Sequence, residues 1–121
     1  MSQRILIVDD EPNIVVSLEY LMKKEGFQIA VATDGESALR LAAEFLPDLV
    51  LLDVMMPKKS GFEVCEAIRA DPKLGAAKII MLTAKGRETE IAKGMALGAD
   101  AYITKPFSTK DLVRQIKSLL A

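Results

Sequence analysis

The sequence predicts a doubly wound α/β fold, in which five helices cover both faces of a five-stranded parallel sheet. Short apolar runs alternate with amphipathic stretches along the whole chain. The runs lack the alternation of polar and apolar residues that marks strands with one solvent-exposed face. A chain of 121 residues is also close to the commonest size of one domain, so we expect a single domain over residues 1–121.

Five apolar runs are the predicted strands. Each is short and mostly aliphatic, which suits strands that helices cover on both faces. Right-handed crossovers through the intervening helices connect such strands as parallel neighbours. The runs span residues 5–8, 29–32, 49–52, 79–82 and 101–103.

The first two amphipathic stretches carry apolar residues at helical spacing. The first begins at Pro12, since proline is favoured in the first helical turn, and ends at Gly26, which suits a left-handed cap. The second follows Asp34, whose carboxylate can cap the helix. Their apolar stripes are Ile14, Leu18, Leu21 and Met22 in the first and Ala38, Leu41, Ala42 and Phe45 in the second.

The other three stretches have similar boundaries. The third begins with a capping box of Ser60 and Glu63, and Gly61 between them lets the chain turn tightly. The fourth covers residues 88–97 and ends at Gly98, whereas the fifth begins at Ser108. The apolar stripes of the third and fifth are Val64, Cys65 and Ile68, then Leu112, Val113, Ile116, Leu119 and Leu120.

Composition excludes several classes of function. The sequence has no histidine, which excludes histidine-dependent catalytic sets, His-ligated metal sites and phosphohistidine carriers. Cys65 is the single cysteine, so we expect an inert buried thiol and neither a disulfide nor a zinc site. A formal net charge of -1 argues against generic binding to nucleic acid or anionic membranes. No apolar run approaches the roughly 20 residues of a membrane span, and we expect a cytoplasmic location.

Polar residues follow the predicted strands where each strand ends. Asp9 and Asp10 follow the first, Asp53 the third, Thr83 the fourth and Lys105 the fifth. Ligands of open α/β sheets bind beyond the carboxyl ends of the strands, where the winding reverses. With the flavodoxin-like strand order 2-1-3-4-5, the first and third strands are neighbours there. The five side chains should therefore converge.

This combination of side chains suits phosphoryl chemistry. Three carboxylates in one cleft repel one another, so a cation should sit among them, and Mg²⁺ is the natural hard, oxygen-seeking ion. A lysine ammonium and a threonine hydroxyl can neutralise and hydrogen-bond phosphoryl oxygens. One carboxylate remains as a nucleophile that forms an acyl phosphate. Each of these residues alone has a structural explanation, such as a helix cap, a turn or a surface lysine. Their combination favours a functional site over these structural explanations.

The chain resembles the receiver domain of two-component response regulators, which has the CheY-like fold. The resemblance covers essentially the whole chain, and the order and spacing of several separated signals make it specific. The residues that carry it are Asp9-Asp10, Asp53 within Leu-Leu-Asp-Val-Met-Met-Pro, Thr83-Ala84 and Lys105-Pro106-Phe107.

By this resemblance Asp53 is the phosphoacceptor. Asp10 and Asp53 hold Mg²⁺, with Asp9 acting through water and Met55 through its backbone carbonyl. Lys105 pairs with the phosphoryl group and precedes a cis proline bond. The protein is then a switch rather than an enzyme, with self-catalysed phosphotransfer and slow autodephosphorylation as its only reactions.

The resemblance also implies a relay and partners. Thr83 moves toward the phosphoryl group while Tyr102 turns inward, which rearranges the face formed by the fourth helix, fifth strand and fifth helix. The phosphoryl group comes from a sensor histidine kinase or a histidine phosphotransfer protein. That face binds a downstream effector protein or output domain, and we expect no direct contact with nucleic acid or membrane. The chain is either a standalone receiver, which we expect, or the N-terminal part of a longer regulator.

Four further positions predict how this receiver differs from others. Met55 and Lys85 stand where receivers tune hydrolysis of the acyl phosphate, and neither can orient a water, so decay should be slow. Ile91 and Ala101 stand where many receivers place charges for dimerisation. An apolar patch near Met95 is therefore predicted to bind a partner instead.

Two other functions fit the pattern less well. A haloacid-dehalogenase-like phosphatase also uses a strand-end aspartate with Mg²⁺, but it needs a second aspartate where this chain has Met55. A flavodoxin-like cofactor module needs a Gly- or Ser/Thr-rich phosphate cradle, which the acidic loops lack. A receiver that cannot be phosphorylated is disfavoured because the acidic pair, acceptor, hydroxyl and lysine are all present.

Overall fold

The computed structural model describes residues 3–56, 59–84 and 87–121. Within these ranges, strands and helices alternate in the predicted order. The strands are β1 (Arg4–Val8), β2 (Gln28–Ala32), β3 (Leu49–Asp53), β4 (Lys78–Ala84) and β5 (Ala101–Lys105). The helices are α1 (Pro12–Lys24), α2 (Gly35–Phe45), α3 (Gly61–Ala70), α4 (Glu88–Ala96) and α5 (Thr109–Leu120).

The strands form one parallel sheet in the order β2-β1-β3-β4-β5, which confirms the predicted fold. Two apolar clusters cover its faces, and the apolar runs of the three central strands β1, β3 and β4 are buried between the helices. On one face α2 and α3 pack with Leu6, Val8, Val50, Leu52, Ile79 and Met81. On the other face α1 and α5 pack with Ile5, Ile7, Leu49, Leu51, Ile80 and Leu82.

The strands that carry the polar residues are longer than the sequence predicts. The parallel ladder continues past the apolar run of β4, pairing Thr83 with Thr104 and Ala84 with Lys105. The hydrogen bonds between strands are made by the backbone and do not require apolar side chains, so polar residues can occupy the last positions of a strand. Thr83, Lys105 and Asp53 therefore stand on sheet backbone rather than on loops.

The predicted helix caps are present. Asp34 accepts a hydrogen bond from the Ser37 N–H at 2.8 Å, and Ser60 and Glu63 form the capping box. Gly26 and Gly98 both have positive φ, as left-handed positions require. The predicted stripe of α1 faces the sheet, with Leu18 and Met22 buried and Ile14 and Leu21 half-buried against the same cluster. Val15, which the prediction did not include, is also buried. Within the described residues, no helix is long and apolar enough to cross a membrane.

Gly61 allows α3 to begin directly beside the end of β3. Its N–H donates to the Val54 carbonyl at 2.9 Å. A Cβ on this residue would lie 2.2 Å from the Asp53 carbonyl oxygen, which is far inside van der Waals contact. The backbone of Asp53 is thus fixed by a contact that only glycine permits.

We expect Gly61→Ala to destabilise the protein by about 1–3 kcal/mol, because the added carbon must displace backbone in a packed region. Urea unfolding measures the change. Gly75→Ala is the matched control, since a Cβ there meets nothing closer than 3.4 Å. Equal stability losses in the two variants would contradict the steric argument.

Candidate functional site

An acidic cluster lies at the carboxyl ends of β1 and β3. These strands are direct neighbours, so Asp9, which follows β1, and Asp53, which ends β3, reach the same edge of the sheet. Carboxylate oxygens of Asp9, Asp10 and Asp53 lie within 4.8 Å of one another. Asp9 and Asp53 are buried, whereas Asp10 is exposed. The structure thus brings the predicted carboxylates together.

Lys105 reaches this cluster from β5, two strands away from β3 in the sheet. Its Nζ lies 2.8 Å from Asp9 Oδ2, 3.1 Å from Glu11 Oε1 and 3.5 Å from Asp53 Oδ1. The peptide bond from Lys105 to Pro106 is cis. One ammonium therefore serves three carboxylates, and negative charge remains in excess.

The pKa values of Asp53 and Lys105 are both raised at this site. Burial, aided by the Asp9 charge, raises the pKa of Asp53 from 3.8 to about 7, although Lys105 and the Met55 N–H act in the opposite direction. For Lys105, burial alone would lower the pKa. The Asp9 carboxylate 2.8 Å away, together with the nearby Asp53 and Glu11, outweighs burial and raises the pKa of Lys105. Lys105 is thus held as a cation.

The donor set fits a hard divalent cation. All three cluster side chains offer oxygen, the ligand atom that Mg²⁺ prefers. Asp9 Oδ2 is buried and has no hydrogen bond of acceptable geometry; Lys105 Nζ is close to it only as an ion-pair partner. Asp10 opens to solvent, which leaves a path for a hydrated ion.

A small cavity of about 130 Å³ opens beside Asp53. Thr83, at the end of β4, is buried, and its hydroxyl donates to Glu90 Oε1 of α4 at 3.4 Å. Arg87 Nη1 lies 3.5 Å from Glu90 Oε2. The lining residues are Glu11, Asp53, Val54, Met55, Leu82, Thr83, Ala84, Arg87, Glu90 and Lys105.

The remaining predicted residues occupy two places. Met55 is 65% exposed at the cavity, and its N–H donates to Asp53 Oδ1 at 3.4 Å. Tyr102 and Met95 are exposed on the α4-β5-α5 side, where Ala101 and Gln115 line the same groove.

Lys85, a predicted rate-tuning residue, lies outside the described residues. Cys65 is buried, and burial raises the pKa of its thiol, as an inert role requires.

Sequence reasoning missed three residues of the site. Glu11 directly follows the acidic pair, and that adjacency was a usable signal for its contact with Lys105. Glu90 and Arg87 gave no such signal, because their approach to Thr83 depends on how α4 packs. The site is therefore larger than its strand-end residues.

Comparison with known proteins gives a consistent result. The family model of the response regulator receiver domain matches residues 5–117. The alkaline phosphatase synthesis transcriptional regulatory protein PhoP of Bacillus subtilis (strain 168) is 44% identical over 120 residues, covering 99% of this chain and 49% of that protein. The chain thus spans about half the length of this curated relative.

Two solved structures share the fold. The chemotaxis response regulator CheY4 of Vibrio cholerae has a TM-score of 0.93 at 29% identity, covering 99% of this chain and 100% of that one. The receiver domain of sensor histidine kinase PA1611 from Pseudomonas aeruginosa PAO1 has a TM-score of 0.91 at 28% identity, covering 99% and 98%. That structure has a magnesium ion coordinated in the active site cleft.

The raised pKa of Asp53 predicts a pH-dependent stability in metal-free solution. The folded protein binds this proton more tightly than the unfolded chain, so the free energy of unfolding should fall as pH rises from about 4 to about 7. Asp53→Asn should remove that part of the fall and raise stability at pH 8 by on the order of 1–3 kcal/mol.

Urea unfolding in EDTA between pH 4 and 8 measures this effect. Glu44→Gln, an exposed carboxylate on α2, is the control that should keep the wild-type slope. A slope unchanged by Asp53→Asn would show that Asp53 titrates normally.

Proposed function

We infer that this chain, which belongs to the response regulator receiver domain family, uses Asp53 as its phosphoacceptor. The chain is a signalling switch of a two-component system, and the acidic cluster fits its phosphorylation site. The observation that carries the assignment is the position of Asp53, buried on β3 among two other carboxylates and within 3.5 Å of Lys105. We propose that residues 1–121 form one receiver domain.

In the proposed transfer, a carboxylate oxygen of Asp53 attacks the phosphorus of the donor. The new O–P bond forms as the bond to the leaving group breaks, and the leaving group keeps the electron pair. Lys105 then shifts from Asp9 and Glu11 toward the phosphoryl oxygens and offsets their charge. The protein thereby catalyses its own modification.

The proposed cofactor is Mg²⁺, held by Asp10 and Asp53 directly, by Asp9 through water and by the Met55 carbonyl. When bound, it supplies positive charge that offsets the carboxylates and the phosphoryl oxygens. The support from this chain is its all-oxygen donor set and the buried Asp9 Oδ2, which has Lys105 as an ion-pair partner but accepts no hydrogen bond.

The proposed relay begins at Thr83, whose hydroxyl turns toward the phosphoryl group. Tyr102, now 43% exposed, turns inward and alters the α4-β5-α5 surface. The donor is proposed to be a sensor histidine kinase or a histidine phosphotransfer protein. The altered surface would then engage an effector or an output domain. The relative from Bacillus subtilis is a transcriptional regulator about twice as long.

Incubation with Mg²⁺ and acetyl phosphate should add one phosphoryl group to the wild-type protein, measured by intact mass. Asp53→Asn should abolish the adduct, and EDTA should prevent it, because both the nucleophile and the compensating charge are required. Asp48→Asn, immediately before β3 at its opposite end, is the matched control and should be labelled normally. An adduct that survives Asp53→Asn would overturn the assignment.

Slow loss of the phosphoryl group is the second expectation. In hydrolysis, water forms a bond to phosphorus while the bond to Asp53 breaks, releasing phosphate. Met55 lines the cavity but cannot orient that water, so Met55→Asn should speed decay roughly three- to tenfold, as one added hydrogen bond allows. Phosphate release or intact mass over time measures the rate.

Leu46→Asn is the control for this experiment. Leu46 is 44% exposed, comparable with Met55, and lies in the α2–β3 connection. Its replacement should leave the decay rate unchanged. Equal rates for Met55→Asn and wild type would show that position 55 does not govern timing here.

A further inference from the structure

The Thr83 hydroxyl already has a partner in this structure. It donates to Glu90 Oε1 on α4 at 3.4 Å, and Thr83 itself is only 2% exposed. The Glu90 side chain is 18% exposed and also faces Arg87 at 3.5 Å. Both Thr83 and Glu90 line the cavity beside Asp53.

We propose that Glu90 is a positioning residue that holds Thr83 in the unphosphorylated form and so restrains phosphorylation of Asp53. This inference rests on the proposed function, in which Thr83 turns to the phosphoryl group. A threonine hydroxyl has one proton to donate. Glu90 and a phosphoryl oxygen therefore compete for the same donor.

Charge strengthens the competition. A phosphoryl group adds about -1.5 to -2 charge near neutral pH. It would share a cavity of about 130 Å³ with the Glu90 carboxylate, which it repels. Thr83 cannot satisfy both anions, and so Glu90 must release it. Because Glu90 lies in the first turn of α4, that release frees the start of this helix.

The restraint acts as a population shift. An interaction present only in the unphosphorylated form stabilises that form and weakens binding of any phosphoryl group or mimic by the same factor. Removing the Glu90 carboxylate should therefore favour the phosphorylated conformation without touching Asp53, Lys105 or the acidic cluster.

Beryllofluoride, a mimic of the phosphoryl group, is the probe in saturating Mg²⁺, and calorimetric titration gives its affinity. Glu90→Ala should bind it roughly three- to tenfold more tightly than wild type. Glu90→Gln keeps a weaker, neutral acceptor and should show a smaller gain. Glu88→Ala removes the same charge from an exposed position on the same helix and should change affinity less than twofold.

A double-mutant cycle with Thr83→Ala separates positioning from a general charge effect. In the Thr83→Ala background, Glu90→Ala should give a much smaller gain, because the hydroxyl that Glu90 holds is gone and only the relief of charge repulsion remains. Equal gains from Glu90→Ala and Glu88→Ala, or a gain from Glu90→Ala that is undiminished without the Thr83 hydroxyl, would overturn the inference. If Glu90→Ala unfolds, the same comparison is made with Glu90→Gln.

The same titration distinguishes a failure of the proposed function from a failure of this inference. Wild-type protein that binds no beryllofluoride, or binds it equally after Asp53→Asn, would overturn both that function and this inference. Asp53-dependent binding that is insensitive to Glu90 would overturn the inference alone.

Discussion

The structure depends on how one ammonium balances several carboxylates at the end of the sheet. Asp9 is fully buried and Asp53 nearly so, and an unpaired charge in such a place is strongly destabilising. Lys105 reaches them only because β5 lies in register with β4, which in turn pairs with β3. The strand order is therefore a condition for placing the charges. Burial, aided by the charge of Asp9, raises the pKa of Asp53, and the remaining negative charge suits a cation.

The backbone around Asp53 has little freedom to respond when its side chain changes. Leu51 and Leu52 are fully buried, and Gly61 approaches the Asp53 carbonyl so closely that no larger residue fits. Packed interiors resist small displacements. Under the proposed function, phosphorylation of Asp53 would therefore be accommodated by neighbouring side chains, among which Thr83 lies near the end of the adjacent strand β4.

Local signals explain what the sequence predicted well. Helix caps such as Ser60 depend on residues three positions apart, and strand-end carboxylates converge once strand order is set, so both were predictable. The burial of Val15, which the predicted stripe of α1 omitted, reflects the orientation of that helix on the sheet, which periodicity alone does not determine. Glu90 was missed for a related reason: its contact requires the position of a whole helix relative to β4.

Helix α4 is the element best suited to carry a change. Of its nine residues only Gly94 is buried, and a Cβ there would lie 3.3 Å from the Met81 side chain, so the helix backbone approaches the sheet closely at this residue. Lys93 adds a contact above the Phe62 ring at 4.5 Å, which is accessible and weak. Few side chains of α4 are buried, and the hydrogen bond from Thr83 to Glu90 links its first turn to β4. In the proposed relay, the charge of a phosphoryl group beside Thr83 would therefore shift this helix while the strands beneath it stay fixed.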